Sequence, residues 1–168
     1  MKRFGEIGWL LLLCAACGVD IVAPELLPEG LRAPALDTSS WERVVRDDFS
    51  YAVPPGFVDT GGIPIDSDAV AHARGDDGLT HDFGLYSGEW SQSPNEPISD
   101  VREVWTVLGG RRAQLASYRL EGRYVVRAWW EDVAPGPAGV RHLVVRGEAA
   151  TLAVRDELLA AIHSVRFD

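Results

Sequence analysis

Residues 113–130 read AQLASYRLEGRYVVRAWW. Two runs with strand composition, Ala113 to Leu120 and Arg123 to Trp130, flank Glu121-Gly122, a tight hairpin signal. On the second run Tyr124, Val126, Ala128 and Trp130 share one face, and Val125, Arg127 and Trp129 share the other. Adjacent Trp129 and Trp130 must therefore point opposite ways. One serves a core. The other lies under a helix or makes an aromatic surface on the sheet, so both are candidate ligand-binding residues.

Reading outward, short aromatic and β-branched runs alternate with strong turn signals from Trp41 onward. Trp41 to Val45 and Phe49 to Val53 read as strands, the second stopped by Pro54-Pro55-Gly56. Ala69 to Arg74 and Thr80 to Tyr86 read as strands around Gly75-Asp76-Asp77-Gly78. Val101 to Leu108 is ambiguous: Asp100 could cap a short helix, yet Val104-Trp105-Thr106-Val107-Leu108 has strand composition. Ala134 to Gly139 reads as a loop and Val140 to Val145 as a strand. Near the end, Val154, Leu158, Ala161 and Ile162 form one apolar stripe of a helix over 151–163. Many antiparallel strands with a late helix predict an α+β fold. The expectation is an antiparallel β-sheet packed with helices, in one domain over 41–168.

Two stretches carry a resemblance. Phe49-Ser50-Tyr51-Ala52-Val53-Pro54-Pro55-Gly56-Phe57 opens the domain, and a strand, a helix and Ser164-Val165-Arg166-Phe167 close it. In outline, 41–168 resembles the PsbP-like family, antiparallel sheets sandwiched by helices, which includes many bacterial lipoproteins. The resemblance implies a scaffold. It carries no catalytic residue across, because the family is mostly non-enzymatic and its members bind different partners.

The N-terminus carries the strongest functional signal. Both cysteines, Cys14 and Cys17, close an apolar run, Ile7 to Leu13, that follows Lys2 and Arg3. A zinc clip needs about four ligands, and no second pair lies at matching spacing. A basic start, an apolar core and small residues Ala15-Ala16 make a secretory signal over 1–16. The apolar run is about half the roughly 20 residues of a membrane-spanning helix. Leu13-Cys14-Ala15-Ala16-Cys17 resembles the lipobox of bacterial lipoproteins, which implies that Cys17 is lipidated and becomes the mature N-terminus. Cys14 stands where that family usually has leucine. The same small residues also fit ordinary cleavage, leaving a secreted soluble protein.

Without residues 1–16 the chain keeps 14 basic and 24 acidic residues, a net charge of −10, and every basic residue is arginine. That charge argues against nucleic acid, which requires a basic stripe, and against unaided adhesion to anionic lipid. Residues 17–40 hold Pro24, Pro28 and Pro34 with no apolar period, and read as a flexible tether reaching roughly 25–30 Å.

Candidates for chemistry are sparse. His72, Asp76, Asp77, His81 and Asp82 are of metal-ligand type, but their spacing matches no clip and the turn explains the aspartates. No cofactor motif is present. Ser87 precedes Gly88 and would need His81 or His142 as its base; the G-x-S-x-G elbow is absent. Three functions follow: a lipid-anchored, non-enzymatic module of the bacterial cell envelope facing the extracytoplasmic side and working with an envelope partner; a binder of a small apolar or lipid ligand in a Trp/Tyr-lined pocket; or a hydrolase using Ser87 with His81 or His142.

Overall fold

Glu121 and Gly122 adopt φ values of +50° and +81°, as both central residues of a type I′ turn must. The turn fixes register: Leu120 faces Arg123 and Ala113 faces Trp130. In the computed structural model of the chain, which describes residues 20–61, 67–84, 98–136 and 139–168, this hairpin sits at the middle of a large sheet. In chain order the strands are β1 (Ile21–Val22), β2 (Glu42–Val45), β3 (Phe49–Val53), β4 (Val58–Gly61), β5 (Ser67–Arg74), β6 (Asp77–Gly84), β7 (Ile98–Leu108), β8 (Arg111–Leu120), β9 (Arg123–Gly136), β10 (Gly139–Ala149) and β11 (Arg166–Phe167). The helix α1 (Leu152–His163) precedes β11, and a single 3-10 turn, Pro24–Leu26, follows β1.

Eight strands form one sheet in the order β1-β7-β8-β9-β10-β6-β5-β4, and three form a second, β11-β3-β2. Every pairing is antiparallel except β1 with β7. The expected α+β sandwich, an antiparallel sheet packed with helices, is therefore overturned: the described residues are mostly strand, with one α-helix. The ambiguous 101–108 segment is part of β7, whose β-branched residues pair with β8. Asp100 is no helix cap. It sits at φ +55°, where the β7–β8 register shifts between Ser99 and Arg102, which is how a bulge behaves. The expected loop over Ala134 to Gly139 is strand as far as Gly136 and again from Gly139, with Pro135 opposite Val140; residues 137–138 lie outside the described residues. Pro135 fits because β8 pairs with β9 only as far as Trp130, so beyond that point β9 is an edge that needs no second set of donors. The PsbP-like sandwich falls with the α+β expectation. Its two marker stretches do meet, but as neighbouring strands of the small sheet, with Phe167 opposite Phe49 and Arg166 opposite Ser50.

The core lies between one face of the large sheet and a layer made of α1 and the small sheet. Strand alternation sends Leu79, Phe83, Leu115, Val126, Ala128, Trp130, Leu143 and Val145 inward, where they meet Phe49, Tyr51, Leu158, Leu159 and Ile162. Trp130 is fully buried; its indole N–H donates to the Leu108 carbonyl at 3.1 Å, and Phe167 packs edge-on at 5.7 Å. Thr151 caps α1, its hydroxyl accepting from the Val154 N–H at 3.3 Å. The helix comes down on β10 at Gly147, where a Cβ would stand 2.8 Å from Leu158 Cβ.

The segment expected to be a tether is, from Ile21 onward, built into the fold. The Val22 carbonyl accepts from the Thr106 hydroxyl at 2.7 Å. Leu27 and Leu31 are 0% exposed. Arg102 donates to the Glu29 carbonyl, Arg155 to the Gly30 carbonyl at 3.0 Å, and His163 Nε2 to the Leu31 carbonyl at 2.9 Å. Three side chains thus satisfy the Glu29, Gly30 and Leu31 carbonyls, beside the local backbone bonds from Leu26 to Ala23, Leu27 to Pro24 and Leu31 to Pro28. Cys14, Cys17, Ser87 and Trp90 lie outside the described residues.

Candidate functional site

The outer face of the large sheet follows from the same alternation. Ile21 pairs with Trp105, Trp105 with Gln114, Gln114 with Trp129, and Trp129 with Val144. One row of side chains therefore crosses β1, β7, β8, β9 and β10. The Trp105 and Trp129 rings reach toward each other over Gln114, with centroids 5.9 Å apart. The Gln114 amide is drawn aside, donating to Glu103 Oε1 at 2.8 Å. Arg112 lays its guanidinium 4.0 Å over the Trp105 ring, a cation–π contact. His142 continues the strip, its ring 6.1 Å from Trp129 and its Nδ1 accepting from the Asp132 N–H at 3.3 Å.

This strip combines flat aromatic faces, one guanidinium, an amide and an imidazole on a regular sheet. Such a surface can stack and hydrogen-bond, the combination enriched where proteins meet partners. Parity separates Trp129 from Trp130 but does not say which of the two is buried; the structure puts Trp129 on the outer face. Local sequence does not single out Trp105, Arg112 or Ile21; the signal for them is the two-residue turn, which sets Gln114 opposite Trp129 and so carries register outward. Trp130 is on the opposite face, inside the core, so the two tryptophans do not line one pocket.

The inner face holds a second polar group. The Tyr51 hydroxyl lies 2.8 Å from His81 Nδ1, Phe49 packs edge-on to the imidazole at 5.3 Å, and His81 Nε2 is 3.9 Å from Asp68, which pairs with Arg46 at 2.8 Å. Burial holds the His81 pKa down to about 4 against a neighbouring Asp68 that raises it. The same desolvation raises Tyr51. The neutral imidazole shares one hydrogen bond with the Tyr51 hydroxyl at Nδ1, while its Nε2 is buried without a hydrogen-bond partner. His81 is 1% exposed, so this arrangement spans core and rim and offers no open face to a substrate.

His81 and His142 lie on opposite faces of the sheet, and Ser87 lies outside the described residues, so no nucleophile–base pair is assembled among those described. The clustered His72, Asp76, Asp77, His81 and Asp82 are dispersed as well. His72 and His81 point inward and Asp82 outward. Asp77 accepts from the Ala150 N–H at 2.8 Å and pairs with Arg123 at 3.4 Å. Among the described residues no group of three or more His, Cys, Asp or Glu is placed to hold a metal ion. Among them, too, no helix is long and apolar enough to cross a membrane. Compared with known proteins, the chain matches no family model and no curated sequence.

Proposed function

We propose that this chain is a non-enzymatic module of the cell envelope, tethered to a membrane by a lipid on Cys17 and acting through the outer face of its eight-stranded sheet. One observation carries the second half of this reading: the row Ile21–Trp105–Gln114–Trp129, with Arg112 stacked on it. Large aromatics on a sheet face turned away from the main core are the usual anchors of an interface. Support for the first half is the basic start, the apolar run and the small residues ahead of Cys17.

The test is the mass of the mature N-terminal peptide from membrane and soluble fractions of the native host. The expected result is a Cys17 start carrying diacylglycerol, in the membrane fraction. An unmodified Cys17 start in the soluble fraction overturns the anchor and leaves a secreted protein. An intact Met1 overturns the signal altogether.

A further inference from the structure

The outer strip runs to the edge of the sheet where the chain enters. β1 begins at Ile21, four residues after Cys17. An extended chain spans at most about 3.3–3.6 Å per residue, so Ile21 can be no more than about 14 Å from Cys17. The spacer expected over 17–40 is cut short, because β1, Leu27 and Leu31 are packed into the domain. If Cys17 carries a lipid, the β1–β7 edge has no room to stand away from the bilayer.

What that edge presents is apolar with one guanidinium, beside the exposed carboxylates of Asp20, Glu25 and Glu103. Ile21 is 36% exposed, Val107 40% and Leu26, on the turn after β1, 71%. Ile21 and Val107 flank Trp105 on the outer face, since Ile21 pairs with Trp105 and Val107 with Arg112. Arg112 covers Trp105, and among the described residues it forms no ion pair. Its Nε is buried without a hydrogen-bond partner, which leaves the terminal nitrogens as the groups to meet an anionic oxygen from outside. Isolated apolar side chains, a tryptophan and an uncompensated arginine are the chemistry of the membrane interface: the indole sits at headgroup depth and the guanidinium grips phosphate.

We propose that the β1–β7 edge rests on the membrane surface, with Ile21, Val107 and Leu26 against the interface and Trp105 and Arg112 among the phosphates, so that the sheet is held in one orientation. The proposal rests on the reading that Cys17 is lipidated. The lipid supplies the affinity, which an acidic protein could not gain from its own charge. Tethering then makes contact of the edge an intramolecular event, so weak interactions are enough to set orientation.

The test places a photoreactive benzophenone side chain at position 107, and in a second protein at position 58. Val58 is also bare, at 63% exposed, but lies on β4, the opposite edge of the sheet, about 29 Å from β7 along it at 4.8 Å per strand. Both full-length proteins are irradiated in intact envelopes of the host and the adducts are weighed. The expected result is phospholipid-mass adducts at 107 in several-fold excess over 58, with that excess lost on Ile21→Asp. Equal lipid adducts at both positions overturn the orientation. A protein adduct at 107 overturns the lipid contact and makes the strip a protein-docking face. The N-terminal peptide of the same preparation separates the two failures: lipidated Cys17 without lipid adducts at 107 defeats this proposal alone, whereas unmodified Cys17 defeats the anchor and the proposal together.

Discussion

The Tyr51 hydroxyl and His81 Nδ1 are 2.8 Å apart, joining the small sheet to the large one inside the core. The pair is stable only while His81 is neutral. In the native state its pKa is held near 4, against 6.5 when solvated, so between those values the unfolded chain binds the extra proton. Stability from this site is complete above pH 6.5 and is lost as pH falls toward 4. A tenfold change in proton affinity is worth about 1.4 kcal/mol, which makes the whole effect about 3 kcal/mol. His72 and His163, also lowered by burial, add slope of the same sign. Urea unfolding above pH 6.5 and near pH 4 is the measurement, and Tyr51→Phe/His81→Leu should flatten the dependence. An equal slope in wild type and double variant would remove His81 from the account.

Gly147 sets how closely α1 approaches the sheet. A Cβ there would meet Leu158 Cβ at 2.8 Å, Cδ1 at 2.9 Å and Cγ at 3.1 Å, and the first of these is not a mobile tip. Gly147→Ala should cost about 1–3 kcal/mol through overpacking, seen as a lower urea midpoint at unchanged slope. Adding Leu158→Ala should cost less than the sum of the two single variants, because it removes the Cγ and Cδ1 contacts and the new methyl fills part of the space left, though the Cβ contact at 2.8 Å stays.

Local signals and long-range contacts divide what a sequence can disclose. The hairpin around Glu121-Gly122 is legible to the residue, because a two-residue turn with positive φ at both positions admits only one register. The helix is legible from Thr151 and the spacing of Val154, Leu158, Ala161 and Ile162. Residues 21–31 are not. A proline-bearing segment that buries two leucines without any period leaves no amphipathic trace, and the donors that hold it, Arg102, Arg155 and His163, come from strands and helix far along the chain. The 101–108 stretch is undecidable locally and becomes strand because β8 offers a partner. The candidate strip is half legible: parity puts Trp129 opposite Trp130, while Trp105 and Arg112 need the register of three further strands.

The start of the domain gives a sharp test of whether residues 21–31 belong to it. Leu27 and Leu31 are 0% exposed, and each fully buried leucine contributes about 1.5–3 kcal/mol. A chain beginning at Trp41 loses both, along with β1, and uncovers the core beneath them. It should unfold at markedly lower urea than a chain beginning at Cys17 and bind a dye for exposed apolar surface. In the longer chain Leu31→Ala should cost about 2–5 kcal/mol. If the two chains unfold at the same urea concentration, residues 21–31 are a tether after all.

Trp129 and Trp130 should divide stability from function. Trp130 is fully buried, donates to Leu108 and packs against Phe167, so Trp130→Ala should cost about 3–5 kcal/mol and lower the urea midpoint. Trp129 is only partly buried, and its contacts include the Trp105 and His142 rings at the outer face. Trp129→Ala removes aromatic surface that the core does not need, so it should cost less than Trp130→Ala while weakening whatever the outer face engages. The comparison requires both readouts on each variant: urea unfolding, and the yield of adducts from a photoreactive group at position 107 in intact envelopes. Because Trp129 is the far member of the strip, a membrane resting only on the β1–β7 edge predicts a modest drop in that yield for Trp129→Ala and a larger one for Trp105→Ala. Equal loss from both would extend the contact across β9. A Trp129→Ala protein as unstable as Trp130→Ala would instead make Trp129 a structural residue and take it out of the site.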